Sequence, residues 1–192
     1  MQIRKGGHVD LEHYYSAMEI DFDEKELLSK WSIHRAISAG DQELLIFSDE
    51  QTRMDVGYAL VMCRSLYGYA LLKYFGIFPW FRGQGQGIEA MRLINKRYAE
   101  KQGILAELTA FDDGEGDLLR KLKRFFARFG YVELPSDYRL GGAPVTLMVK
   151  PIQGDGNIAP VAHRIIRDVY SRCLGFDRYS SMVDIRPVRK DV

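Results

Sequence analysis

Apolar positions along this chain change period near its middle. Residues 44–47, 56–63 and 67–78 are near-continuous apolar or aromatic runs. They are parted by the polar turn Asp49-Glu50-Gln51-Thr52 and by Arg64-Ser65-Leu66, which predicts consecutive strands in an antiparallel meander. Further on, Ile88, Met91, Ile94 and Tyr98 recur at helical spacing, with Gly103 read as a left-handed stop. Residues 104–108 predict a strand, and Asp117 reads as the cap of a second helix whose apolar face is Leu118, Leu122, Phe125 and Phe129, ending at Gly130. Residues 131–134 and 145–149 predict further strands joined by a Gly- and Pro-rich loop at 135–144. Upstream, Ile3 fits an edge strand, and residues 11–18 and 24–37 fit helical pieces. Downstream, residues 151–157 form a turn-rich connector, after which Pro160 opens an amphipathic helix with Val161, Ile165, Val169 and Cys173 on one face and Gly175 as its stop.

The switch from strand to helix passes through Pro79-Trp80-Phe81-Arg82-Gly83-Gln84-Gly85-Gln86-Gly87-Ile88. Alternating glycines let the backbone approach an anion, and the first turn of the following helix offers unpaired N–H groups at a positive dipole end. A diphosphate suits such a seat. Gly85-x-Gly87-x-x-Ala90 also fits the dinucleotide fingerprint, with Glu107 twenty residues past Gly87 as a ribose-binding acid. Against that reading, Pro79 to Arg82 intervene between strand and glycines, and only 85 residues follow Glu107, few for a doubly wound sheet. A Walker loop is excluded because no Gly-Lys-Ser/Thr follows the glycines.

Arg82-x-x-Gly85-x-Gly87 resembles the coenzyme A pyrophosphate loop of the GNAT superfamily of N-acetyltransferases. Pro79-Trp80-Phe81-Arg82-Gly83 resembles that family's strand exit, and Phe125-Phe126-Ala127-Arg128-Phe129-Gly130-Tyr131 resembles the end of its fourth helix. The likeness spans roughly residues 40–150. It implies an α+β fold with a mixed, mostly antiparallel central sheet flanked by helices, here a domain of residues 1–150. Residues 151–192 then form a C-terminal extension with an extra helix, which either covers the same core or serves as the arm of a homodimer. The resemblance further implies acetyl-CoA as co-substrate, with no metal. Phe75 to Ile77 would pair with the pantetheine arm, Gly83 would shape the strand exit, and Gly85, Gly87 and the N–H of Ile88 would hold the pyrophosphate. Arg82 would add a charge-assisted contact near the phosphates.

Transfer to an amine calls for a base, and Glu107 is the candidate, a carboxylate inside an apolar strand; a solvent-facing position on an alternating strand is the other reading. Glu19, Asp21 and Asp23 form an acidic group suited to docking a cationic amine of a small molecule or peptide. Many family members carry a tyrosine in the fourth helix to protonate the departing thiolate. This chain has Phe126 there, which cannot donate a proton, so Tyr131 or water would have to serve. That substitution also motivates a reading of another class, a non-catalytic acyl-CoA-binding or sensing module.

Composition narrows the partners. Twenty-seven basic residues against 26 acidic ones create no global field for nucleic acid or an anionic membrane. The basic residues Arg120, Lys121, Lys123, Arg124 and Arg128 read as a solvated helix face. No apolar run reaches the length of a membrane span, and the expected location is cytoplasmic. Cys63 and Cys173 lack CxxC spacing and read as reduced thiols; the four histidines show no metal-ligand pattern.

Overall fold

The three apolar runs form strands β2 (Gln42–Ser48), β3 (Asp55–Met62) and β4 (Tyr69–Ile77) of one antiparallel meander, with β1 (Gln2–Lys5) on its edge. The computed structural model describes residues 1–109, 116–154 and 157–187. Helices α1 (His8–Asp21) and α2 (Lys30–Ser38) lie between β1 and β2. After β4 come a 3-10 turn at Pro79–Phe81, helix α3 (Gln86–Arg97), strand β5 (Gly103–Thr109), helix α4 (Gly116–Ala127) and strands β6 (Val132–Leu134), β7 (Asp137–Leu140) and β8 (Ala143–Pro151). The chain continues through α5 (Ala162–Leu174), α6 (Phe176–Met182) and β9 (Val183–Arg186). Sheet order is β1-β2-β3-β4-β5-β8-β7-β9, with β6 also on β8.

Alternation along the strands sorts side chains to two faces, as a period of two requires. Leu105 joins a core with α1, α2 and α5, whereas its neighbours Ile104 and Ala106 join a second core with α3 and α4. In α5, Ile165, Ile166, Val169 and Tyr170 are fully buried. At ~1.5–3 kcal/mol for each large apolar side chain, that helix contributes a substantial part of a typical domain's stability.

Several sequence expectations require correction. Gly103 is not a left-handed stop: α3 ends at Arg97, and Gly103 opens β5, where a Cβ would lie 2.7 Å from the carbonyl oxygen of Lys150. Close backbone approach, rather than a turn, is what selects glycine there. Asp117 sits in the first turn of α4 and not at its cap, and Leu118 is half-exposed while Phe126 is buried. The loop expected at 135–144 contains β7, a four-residue strand that turns tightly into β8 and takes β9, more than forty residues on, as its second partner. Positions 155 and 156 of the expected connector lie outside the described residues.

Gly57 in β3 faces Ile77, the last residue of β4. A Cβ at Gly57 would stand 2.3 Å from the carbonyl oxygen of Gly76. Gly57→Ala should therefore push the two strands apart and cost about 1–3 kcal/mol, the usual range for overpacking. Denaturant unfolding would show it as a lowered midpoint; an unchanged midpoint would mean the strands separate freely.

Candidate active site

The site begins where β4 and β5 part. They pair in parallel from Tyr69 with Gly103 to Leu72 with Ala106, and beyond that β5 continues along β8 alone. Among the described residues, no strand pairs with the edge of β4 from residue 73 to residue 77 on that side. A bulge sits at the same point: Leu60 faces Tyr74 and Val61 faces Leu72, so Lys73 is the extra residue. A cleft of 390 Å³ opens between the separating strands, the α1–α2 connection and α4.

At its base the first residues past the pairing, Lys73 and Glu107, form an ion pair of 2.9 Å with side chains 1% and 2% exposed. Glu107 also accepts hydrogen bonds from the hydroxyls of Tyr138 in β7, at 2.5 Å, and Tyr170 in α5, at 2.7 Å. Both tyrosines have phenol pKa values well above normal, through burial first and then the carboxylate's charge. The sequence reading of Glu107 as a free base meets a different geometry: each of its oxygens is engaged, and it serves as the counter-ion of Lys73.

A second carboxylate faces the cleft. Glu26, in the turn between α1 and α2, is 7% exposed and accepts from the Thr109 hydroxyl at 2.6 Å. Burial raises its pKa above the usual carboxylate range, partly offset by the positive charge of Lys73. Nothing in the sequence separates Glu26 from its acidic neighbours, because its burial depends on contacts from β4 and β5. Lys73 had a visible signal, as the single charged residue in the apolar run 67–78.

The acidic group splits three ways. Asp21 and Asp23 line the cleft; Glu19 lies outside it on α1, beside a separate depression. Asp23 accepts from the N–H of Lys25 at 2.8 Å, closing the turn. Asp21 accepts from Tyr58 at 2.8 Å and pairs with Arg82 at 2.9 Å. Arg82 also donates its Nε–H to the carbonyl oxygen of Ile77 at 2.7 Å. The guanidinium thus ties the glycine loop to the end of α1 rather than standing free.

Gly83 and Gly85 hold φ of 75° and 81°, with nothing within 4 Å of a Cβ at either, so backbone conformation and not space demands glycine. Gly85 caps α3, and its carbonyl oxygen takes the N–H groups of Ile88, at 2.9 Å, and Glu89, at 3.2 Å. Ile88 is therefore already engaged. Among the described residues, no backbone acceptor takes the N–H groups of Gly85, Gln86 and Gly87. These are the donors a seated anion would meet.

Phe126 lines the cleft, and Tyr131 packs edge-on against it with ring centroids 5.1 Å apart. The Tyr131 hydroxyl points under α3, 3.5 Å from Asn95 Oδ1, and burial pushes its pKa up. Among the described residues no group of three or more metal-ligating side chains gathers, and no helix is long and apolar enough to cross a membrane.

No protein-family model matches the sequence, and no curated protein matches it. Solved structures do match. A GNAT-family structure from Bacteroides thetaiotaomicron superimposes with a TM-score of 0.71, covering 92% of this chain and 99% of its own at 15% identity. A variant of spermidine N-acetyltransferase SpeG from Vibrio cholerae gives 0.62, covering 82% and 98% at 13% identity. An aminoglycoside 6′-N-acetyltransferase complexed with coenzyme A gives 0.63, covering 82% and 100% at 15% identity. The parting strands, the glycine-capped helix and these superpositions agree: this chain has the fold of the GNAT acetyltransferases.

Proposed function

We propose that the protein is an acyl-CoA-dependent N-acyltransferase that moves an acetyl group from acetyl-CoA to an amine of a small molecule or peptide. The observation that carries this reading is the opening between β4 and β5, a cleft lined by Phe75 of the free β4 edge and by a buried carboxylate, Glu26, with that edge running on in sequence to the glycine loop that caps α3. The neighbours' names, a spermidine and an aminoglycoside N-acetyltransferase, support an amine acceptor.

The residues suit coenzyme A. Gly85, Gln86 and Gly87 would offer N–H groups to the diphosphate, Gly83 would turn the chain into that loop, and the free edge of β4 around Phe75 and Ile77 would meet the pantetheine amides. Arg82 would hold the loop against Asp21 while sharing charge with the phosphates. Acetyl-CoA supplies the activated acyl group. Glu26 would take the proton that the attacking amine sheds, its raised pKa bringing it closer to the amine than an ordinary carboxylate. Asp23 and Glu26 leave negative charge facing the cleft, which favours a cationic acceptor; Asp21 is largely neutralised by Arg82. Glu19 would act only as an outlying charge.

The test is coenzyme A release from acetyl-CoA in the presence of spermidine, kanamycin and a lysine-containing peptide. Release dependent on one of these amines is the expected result. Acetyl-CoA binding without release across such a panel would favour the alternative of a binding or sensing module, which Phe126 motivates.

Gly87→Val addresses the seat. A Cβ there would make ordinary contacts of 3.7 Å with Ile77 and 3.8 Å with Phe125, so the fold should persist. The branched side chain stands between the backbone and a diphosphate, and loss of one charge-assisted hydrogen bond at ~1.5–3 kcal/mol weakens binding about tenfold or more. Calorimetry with coenzyme A would show it; unchanged affinity in the folded variant would remove the diphosphate seat.

A further inference from the structure

We propose that Lys73 is the catalytic residue at the leaving sulfur, acting from the bulge of β4 where α4 offers only Phe126; this rests on the acyl-CoA reading above. Three observations carry it. Among the described residues that line the cleft, Lys73 is the sole cation. It stands in the bulge at the point where β4 leaves β5, the same point at which the β4 edge becomes free, with its ammonium beside Glu107 and Tyr170. No aromatic hydroxyl serves in its place: Phe126 lines the cleft without a proton to give, and the hydroxyl of Tyr131 points under α3.

Surroundings of the ammonium fit the role. Glu107 of β5 takes one of its three N–H donors at 2.9 Å, and Tyr138 of β7 and Tyr170 of α5 hold that carboxylate from behind. The rings of Tyr74 and Tyr170 lie 5.2 Å and 5.6 Å from Nζ and form an apolar, cation-tolerant wall. Glu26, in the α1–α2 turn, is the remaining charged group that senses Lys73. A buried ion pair gains little over apolar packing of the same volume, so stability alone is a weak reason for a lysine here.

The proton balance closes within the chain. As the bond from nitrogen to the acetyl carbon forms and the carbon–sulfur bond breaks, Glu26 accepts the amine's proton and Lys73 gives one to the sulfur. Glu26 then reprotonates Lys73, restoring carboxylate and ammonium without an outside acid or base.

The test reads the thiol itself, independently of turnover. Coenzyme A bound to the wild-type protein is titrated by the ultraviolet absorbance of its thiolate. Beside an ammonium, the thiol should titrate about one unit or more below the ~8.5 of a simple thiol. In the double variant Lys73→Met with Glu107→Gln, which removes both charges and strands neither, that shift should vanish while coenzyme A still binds. Turnover with whichever amine probe the wild type accepts should fall roughly 10²–10³-fold, the range for losing a preorganised donor. Lys73→Arg should retain the thiol shift. A bound thiol that titrates as in solution, or equally in wild type and double variant, overturns the role of Lys73. Failure of the wild type to bind coenzyme A at all would instead sink the acyl-CoA reading, and this inference with it.

Discussion

Glu26→Gln should lower kcat by roughly 10²–10⁴-fold, the contribution of a positioned general base, while the affinity for acetyl-CoA stays within about threefold. The amide keeps the shape and can still accept from Thr109, so the loss is one of proton acceptance. The pH profile gives the sharper reading. Glu26 acts as its carboxylate, and burial raises its pKa, so activity should fall as pH drops through that raised value, earlier than for an exposed carboxylate. In Glu26→Gln the residual rate should lack this acidic limb. A variant that keeps both its rate and its limb would assign the base elsewhere.

Glu107→Leu should cost about 3–5 kcal/mol of stability, the usual penalty for removing one partner of a buried ion pair. The ammonium of Lys73 would be left in the core, together with the hydroxyls of Tyr138 and Tyr170. Against a typical domain stability of ~5–15 kcal/mol, that brings folding close to failure. Glu107→Gln retains an acceptor for the tyrosines and should be distinctly milder, at about 1–3 kcal/mol. Urea unfolding of the two variants separates these cases. Equal midpoints would mean that an acceptor at this position plays no part in holding the two tyrosines.

The elements that rest on local pattern were legible. Strands β2 to β4 follow from unbroken apolar runs, and α3 and α5 from helical periodicity ending near glycine or a basic last turn. The turn at Gly83 and Gly85 was legible for the same reason, since its left-handed backbone is dictated by residue type. The polar heart of the cleft was not. Glu107 showed itself as a carboxylate in an apolar strand, but its partners come from β4, β7 and α5, and side-chain pairing across such distances leaves no mark on periodicity. The bulge at Lys73 is equally silent, because it shifts register against β3 without breaking the apolar run. Asp21 and Arg82 each looked like ligand-binding charges when taken singly; the fold joins them to one another.

Tyr170 reaches Glu107 across 63 positions of sequence, and this gives the protein an order of assembly during its synthesis. The ribosome delivers Lys73 and Glu107 first, then Tyr138, and Tyr170 only 63 residues after Glu107, at ~5–20 residues per second. Until α5 docks, the ion pair stands open to water on that side and the core shared with α1 and α2 lacks Ile165, Ile166 and Val169. A chain halted before α5 would expose the apolar face of its sheet and hold an unfinished cleft, so translational arrest upstream of Tyr170 yields a target for proteases and not a working site.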